Sequence, residues 1–290
     1  VARRRPPVVH GLVLLDKRAG MTSHDAVFAL REPFAEKRIG HAGTLDPDAT
    51  GLLVIGVGNG TRLIRFLGEM DKTYSCEIVF GAATNTLDDS GEITATFDMA
   101  PPNIEQARAV IAEKFVGDIL QIPPMVSALR VDGKRLHELA REGIEIERAP
   151  RPITVYSYEI ENTDDPMVLR ANVRCGGGTY IRSLGADLGT ALGGGAHIRT
   201  LRRHSTGPYS IDESCTLENP VLLPIEQLVR HMPHHVLSVS EVDDVLYGRV
   251  REAWDGDGPW AALDETGTLI AVFELWRDRV AKPTVVFGGR

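Results

Sequence analysis

The chain has 290 residues, 43% hydrophobic and 25% charged, enough for one large soluble domain and a small one. A formal net charge of −8 argues at first against a nucleic-acid partner, whose phosphates need lysine and arginine, and no run of about 18 apolar residues is present to span a membrane. Cys76, Cys175 and Cys215 stand far apart with no Cys-x-x-Cys pairing, which signals neither a disulfide framework nor a zinc site and fits a reducing cytoplasm.

His10 to Lys17 is a short apolar run rich enough in branched residues for a buried strand. Thr22-x-x-Asp25 resembles a capping box, and Val27, Leu30 and Phe34 recur at helical spacing until Pro33 and Lys37-Arg38 end the pattern. The next stretch, Gly40-His-Ala-Gly-Thr-Leu-Asp-Pro-Asp-Ala-Thr-Gly-Leu-Leu53, is the centre of the chain. Gly40, Gly43, Pro47 and Gly51 interrupt any period, so it is expected to be a shaped loop feeding a buried strand from Leu52 to Val57. Within it Asp46 precedes proline, which biases its backbone to an extended conformation and can hold a short carboxylate stiffly. A fixed carboxylate can act as nucleophile or base; an isolated Asp-Pro can equally be a turn that bonds its own backbone.

Gly56-Val-Gly-Asn-Gly-Thr61 then opens a predicted helix carrying Leu63, Ile64, Phe66 and Leu67, with Thr61 as N-cap. Its spacing matches neither dinucleotide nor P-loop glycine patterns, so nucleotide binding is not expected. Lys72 to Phe80 alternates as a half-buried strand, followed by an acidic turn at Asp88-Asp89-Ser-Gly91. Asn103-Ile-Glu-Gln106 caps a helix that runs through Phe115. From Gln121 a proline-started extended segment carries Arg130, Lys134 and Arg135 and leads to a short predicted helix, Leu136 to Arg141, closed by Gly143. This basic, hairpin-like insertion reads as an RNA clamp or as a solvated surface loop.

Leu169, Ala171, Val173 and Cys175 alternate with Arg170, Asn172 and Arg174, giving a strand with one apolar and one basic face. A glycine turn, Gly176 to Gly178, switches to a helix with Ile181, Leu184 and Leu188 inward, which places Arg182 in its first turn, able to reach across a cleft. Gly193 to Arg203 adds three arginines. The motif-bearing part stops between Pro220 and Pro233. Beyond it, two apolar runs flank the turn Asp264-Glu-Thr-Gly267, and a third precedes Phe287, the pattern of a small β-rich domain. Charge follows the motifs: residues 1–72 sum to +3 and 171–211 to +4, whereas 73–170 sum to −8 and 212–290 to −7.

Gly40-His-Ala-Gly-Thr-Leu-Asp-Pro-x-Ala-Thr-Gly-Leu-Leu53, Lys72-x-Tyr74, Gly178-Thr-Tyr-Ile-Arg182 and Gly195-Ala-His-x-x-x-Leu-Arg-Arg203 together resemble the TruB family of bacterial tRNA pseudouridine synthases, in that family's order. The resemblance implies an α+β pseudouridine-synthase fold: a large mixed, mainly antiparallel sheet with flanking helices over residues 1–233, an RNA-clamping insertion at about 122–150, and a small PUA-like domain over 234–290. It implies isomerisation of uridine to pseudouridine at position 55 in the T loop of tRNA. Asp46 would be the catalytic aspartate, Tyr74 the tyrosine stacked on the base, and Arg182 the arginine paired with the aspartate. His41 would enter the T loop, and Tyr180 and Leu201 would line the pocket of the flipped base. Lys17, Arg130, Lys134, Arg202 and Arg203 complete the expected RNA-binding set. The partner is the T arm of tRNA; no membrane, metal or cofactor is expected, and the protein is expected to act as a cytoplasmic monomer. Arg18 stands where the family usually has proline, and Val126 to Arg130 departs from the usual clamp sequence. Two rival readings are an RNA-binding module that uses the same cleft without catalysis, and a glycosidase-type hydrolase with Asp46 and Asp48 as its carboxylate pair.

Overall fold

The computed structural model describes residues 6–127, 129–131, 134–135, 144 and 146–288. The predicted helix at 136–141 and Gly143 lie outside the described residues. In chain order the first half contains β1 (Gly11–Lys17), α1 (Ser23–Ala29), β2 (Ile39–Ala42), β3 (Thr50–Val57), β4 (Lys72–Phe80), β5 (Ala82–Thr84), β6 (Ile93–Thr96), α2 (Ile104–Lys114) and β7 (Gly117–Gln121). The short pair β8 (Arg130–Val131) and β9 (Lys134–Arg135) follows. Then come β10 (Arg151–Asn162), β11 (Val168–Cys175), α3 (Ile181–Ala191), β12 (Ala196–Thr206) and β13 (Tyr209–Ser210).

The main sheet runs β1-β3-β12-β4-β11-β10-β7, with β2 added to β3 and β13 to β12. All its pairings are antiparallel except β3 with β12, which meet in parallel at Arg202↔Thr50 and Arg203↔Gly51. With α2 and α3 packed on it, this is the α+β arrangement expected. The apolar runs of β1 and β3 have a direct cause. Val13, Leu15, Leu53 and Ile55 enter one core cluster, whereas Leu12, Leu14, Leu52 and Val54 enter another on the opposite face. A strand buried on both faces needs apolar residues at every position, so its alternation disappears.

The second cluster also contains Ala261, Leu263, Leu269, Val272 and Val285. These belong to a five-stranded sheet, β14 (His234–Val236), β15 (Arg251–Glu252), β16 (Trp260–Leu263), β17 (Leu269–Arg277) and β18 (Val280–Val286), ordered β14-β16-β17-β18-β15, beside α4 (Val239–Leu246). The predicted Asp264 turn joins β16 to β17, its Oδ1 accepting from the backbone N–H of Thr266 (2.8 Å) and Thr268 (2.9 Å). The C-terminal sheet therefore closes one face of the main sheet as well as building a small cluster of its own around Trp260 and Phe273. Among the described residues no helix is long and apolar enough to cross a membrane.

The helix expected after Thr61 is instead two short 3-10 turns, Gly58–Arg62 and Ile64–Leu67. Thr61 is not its N-cap; its hydroxyl donates to the Gly58 carbonyl (2.8 Å) from inside the turn. The glycines here serve close approach of backbones. A Cβ on Gly58, at φ 59°, would strike the Val9 carbonyl, and one on Gly60 would strike that of Gly11. The amides of Gly58 and Asn59 are already taken, by the Arg38 carbonyl (2.7 Å) and His10 Nδ1 (3.2 Å).

Gly51 is the equivalent point at the site. It has φ 103°, and a Cβ there would lie 2.7 Å from the Arg203 nitrogen and closer still to the Arg203 carbonyl oxygen. Gly51→Ala is expected to force β3 and β12 apart and to cost at least about 2–3 kcal/mol. The shift of the urea midpoint at unchanged slope measures this; a variant as stable as the wild type would show that the two backbones do not meet so closely.

Candidate active site

The loop between β2 and β3 is tied down on several sides before it presents Asp46. Ser23, at the start of α1, donates its hydroxyl to the Leu45 carbonyl (3.0 Å) and accepts from the Leu45 amide (2.9 Å). The Pro47 carbonyl accepts from the Gly20 amide (3.1 Å) and from Lys17 Nζ (2.9 Å). The Asp46 carbonyl closes a tight turn onto the Ala49 amide (3.2 Å). Asp-Pro therefore does form a turn, but through its backbone, which leaves the side chain free to point elsewhere.

That side chain meets Arg182. The guanidinium lies side-on to the carboxylate, Nε 2.9 Å from Oδ2 and Nη2 3.2 Å from Oδ1, a two-point contact that fixes both groups. The arginine side chain is only 4% exposed, against 39% for the aspartate. Its remaining donors reach the carbonyls of Thr86 (2.6 Å) and Val126 (2.8 Å), and Asp88 Oδ2 lies 3.6 Å from Nε. Tyr180 is the N-cap residue of α3, so Arg182 is the second residue of the helix, as expected. The Tyr180 backbone is held in turn by Gln121, whose Oε1 accepts its amide proton (2.8 Å) and whose Nε2 donates to its carbonyl (3.0 Å).

Asp46 and Arg182 line a cavity of about 260 Å³ together with Tyr74, Tyr180, Leu201, Lys72, Ser127 and Arg203. Leu201 reaches it because β12 is irregular there: its register on β4 shifts between Arg199 and Arg202, and Thr200 has φ 56°. An irregularity of this kind re-aims a side chain out of the regular alternation. Tyr74 stands across from Arg203 in the β4–β12 pairing and is 8% exposed.

Burial raises the Asp46 carboxyl above the ordinary aspartate range; Arg182 opposes the rise without cancelling it, and the nearby Asp88 charge adds to it. A reaction that needs the carboxylate is lost as pH falls through this raised value, so the acid limb of the single-turnover rate is expected above the 3.8 of an ordinary aspartate. A limb at or below that value would contradict the electrostatics described here. Burial likewise pushes the Tyr74 phenol above 10, so it stays protonated at neutral pH.

Several other expected residues take different places. Lys17 is a correction: it has no exposed surface, and its ammonium donates to the carbonyls of Arg18 (2.9 Å), Met21 (2.8 Å) and Pro47 (2.9 Å). An ammonium has three protons, and all three are used inside the protein, so Lys17 holds the Asp46 loop and cannot take an RNA phosphate. Arg202 is bound at two points by Asp16 (2.8 and 3.1 Å). Arg203 is 1% exposed and donates to the carbonyls of Leu52 (2.7 Å) and Gly43 (2.9 Å) at the cavity. His41 lies on β2 outside the cavity lining; its Nδ1 is buried and, among the described residues, without a partner, and burial lowers its pKa. Arg130 and Lys134 fall in the β8–β9 pair. Asp48, the second carboxylate of the hydrolase reading, is exposed and lines an adjoining groove that shares Asp46, Arg182 and Leu201 with the cavity, but it does not line the cavity itself. The second carboxylate at Arg182 is Asp88, which the sequence offered only as part of an acidic turn. Lys72 was visible only as a motif letter, yet it lines the cavity and is 6% exposed.

The model described as "TruB family pseudouridylate synthase (N terminal domain)" matches residues 31–181, and that of the "tRNA pseudouridylate synthase B C-terminal domain" matches 182–222. The chain is 40% identical to the "tRNA pseudouridine synthase B" of Rhodococcus jostii (strain RHA1), over 98% of this chain and 97% of the relative. It is 41% identical to the protein of the same description from Corynebacterium glutamicum (strain R), over 93% and 94%. Among solved structures, a chain of "Structure of H/ACA RNP bound to a substrate RNA containing 2'-deoxyuridine" superposes with a TM-score of 0.72 at 23% identity, covering 97% of this chain and 86% of the other. A chain of "Crystal Structure of a Cbf5-Nop10-Gar1 Complex" gives 0.72 at 24% identity, covering 97% and 84%. At that identity the likeness is one of fold.

Fold and sequence together define a pseudouridine synthase, an isomerase. Within that class, the chain belongs to the TruB family.

Proposed function

We propose that this enzyme converts uridine to pseudouridine at position 55, in the T loop of tRNA, with Asp46 as the catalytic carboxylate. The observation that carries the reading is the Asp46–Arg182 pair on the wall of a cavity that also holds Tyr74, Tyr180 and Leu201. Isomerisation breaks the N1–C1′ bond, turns the uracil and joins C5 to C1′, while the C5 proton leaves to solvent and N1 gains one. No atom is gained or lost overall. The uridine must first leave its stack, at a cost of a few kcal/mol, and aromatic and apolar contact from Tyr74, Tyr180 and Leu201 offsets that cost. Tyr74, kept protonated by burial, contributes a flat face and a fixed O–H rather than a base. Arg182 keeps the carboxylate aimed and favours its charged form.

The T arm would lie over the cavity mouth, gripped by the insertion at about 122–150 with Arg130 and Lys134. That insertion connects to the site, since the Val126 carbonyl accepts from Arg182. Residues 1–233 form the proposed catalytic domain and 234–290 a PUA-like one; with a net charge of −7 over 212–290, the latter is expected to add little phosphate affinity. The test is the position of the product in an unmodified tRNA transcript, read by carbodiimide adduct and reverse transcription. A single stop at uridine 55, absent when that base is cytidine, supports the proposal; stops elsewhere with none at 55 would overturn it.

A further inference from the structure

Lys72 and Arg203 are two nearly buried cations at one cavity, and among the described residues neither forms an ion pair. Lys72 Nζ donates to the carbonyls of Gly68 (3.0 Å) and Met70 (2.7 Å), and Arg203 donates to those of Leu52 and Gly43. Asp71, adjacent to Lys72 in the chain, is engaged by Arg174 at 2.7 Å. The two cations converge. A Cβ on Gly43 would stand 3.3 Å from Arg203 Nη1 and 3.6 Å from Lys72 Cε, so both side chains close on the same bare Cα and lie beside one another at the cavity.

Anchoring a turn by two carbonyls does not require charge, and placing an ammonium beside a guanidinium costs free energy. The cost shows in Lys72 itself, lowered to about 8 by burial and then by Arg203. Two of its three protons are used, and the third is available to a group in the cavity. Lys72 and Tyr74 are two residues apart on one face of β4, about 7 Å, which is the scale separating a nucleotide's base from its phosphate. Stacking of the uracil on Tyr74 therefore brings an adjacent phosphate toward the cation pair.

We propose that Lys72 and Arg203 bind a phosphodiester flanking the target uridine at the wall of the cavity that both line. This rests on the substrate reading above, and it assigns the pair a task during base entry: the phosphate completes a site that is otherwise over-charged. The pair would thus favour a nucleotide already flipped over one still stacked in the loop.

The test uses synthetic T-arm RNAs with a single neutral methylphosphonate, as separated diastereomers, on the 5′ or the 3′ side of the target uridine. Binding and single-turnover rate are measured for wild type, Lys72→Met and Lys72→Arg. One of the two replacements is expected to weaken wild-type binding about 10- to 100-fold, as for loss of a charge-assisted hydrogen bond. The same replacement should cost Lys72→Met several-fold less than it costs wild type, the remainder being the Arg203 contact, and Lys72→Arg should keep the wild-type sensitivity. If wild type turns over the unmodified RNA but tolerates both phosphonates, or if Lys72→Met loses as much as wild type, the phosphate site is overturned and the substrate reading stands. If the unmodified RNA is neither bound nor turned over, the substrate reading falls and takes this inference with it.

Discussion

Asp46→Asn is expected to lower the single-turnover rate at least roughly 10⁴-fold, the scale seen when a group that acts on the reacting atoms is removed. RNA affinity should change by no more than a few-fold. The substitution keeps the size and one oxygen of the side chain but removes its charge and its capacity as nucleophile or base. The loop that carries it is held by Ser23, Gly20 and Lys17 through backbone atoms, so its shape does not depend on the carboxylate. A rate within 10-fold of wild type would mean that Asp46 is not the reacting group. Unchanged RNA binding with lost turnover would also separate this enzyme from the RNA-binding module considered as a rival, which has no use for the charge.

Arg182→Met carries the second large effect, and it falls on stability as well as rate. The methionine fills much of the same volume but leaves Asp46, Asp88 and the carbonyls of Thr86 and Val126 without their donor. Removing one partner of a buried pair costs about 3–5 kcal/mol. The lower end is expected here, because Asp46 is 39% exposed and water can replace part of the contact. The rate should fall about 10²- to 10³-fold as the carboxylate loses its aim. Arg182→Lys restores the charge but not the two-point geometry or the reach to both carbonyls, so it should regain stability more than rate. A denaturant midpoint and a single-turnover rate for each variant check this; a lysine variant as fast as wild type would show that charge alone suffices.

Much of the fold could be read from local pattern because local physics decides it. The Asn103 cap, the alternation of Leu169 to Cys175 and the turn at Asp264 all appear where the sequence places them. Arg182 in the first turn of its helix was legible because Gly176 to Gly178 ends one strand and Ile181, Leu184 and Leu188 set the helix face. The helix expected after Thr61 failed because Gly58 and Gly60 are there to let backbones touch, a tertiary fact with no periodic signature. For the same reason composition could not distinguish a surface lysine from a buried one. Lys17 and Arg203 look like exposed RNA-binding cations in sequence, yet both are buried, and Lys17 spends all three protons on carbonyls. Asp88 joins the site only because its turn bridges to Ile198 on β12, a contact between residues far apart in sequence.

The central claim is isomerisation within this cavity, and the most direct measurement is tritium release from tRNA labelled at uracil C5, followed by the mass of the product RNA. The account predicts one tritium released per tRNA by the wild-type protein, an RNA product whose base is retained, and no release by Asp46→Ala. Release of free uracil, with an abasic site left in the RNA, would contradict it and make the enzyme a hydrolase.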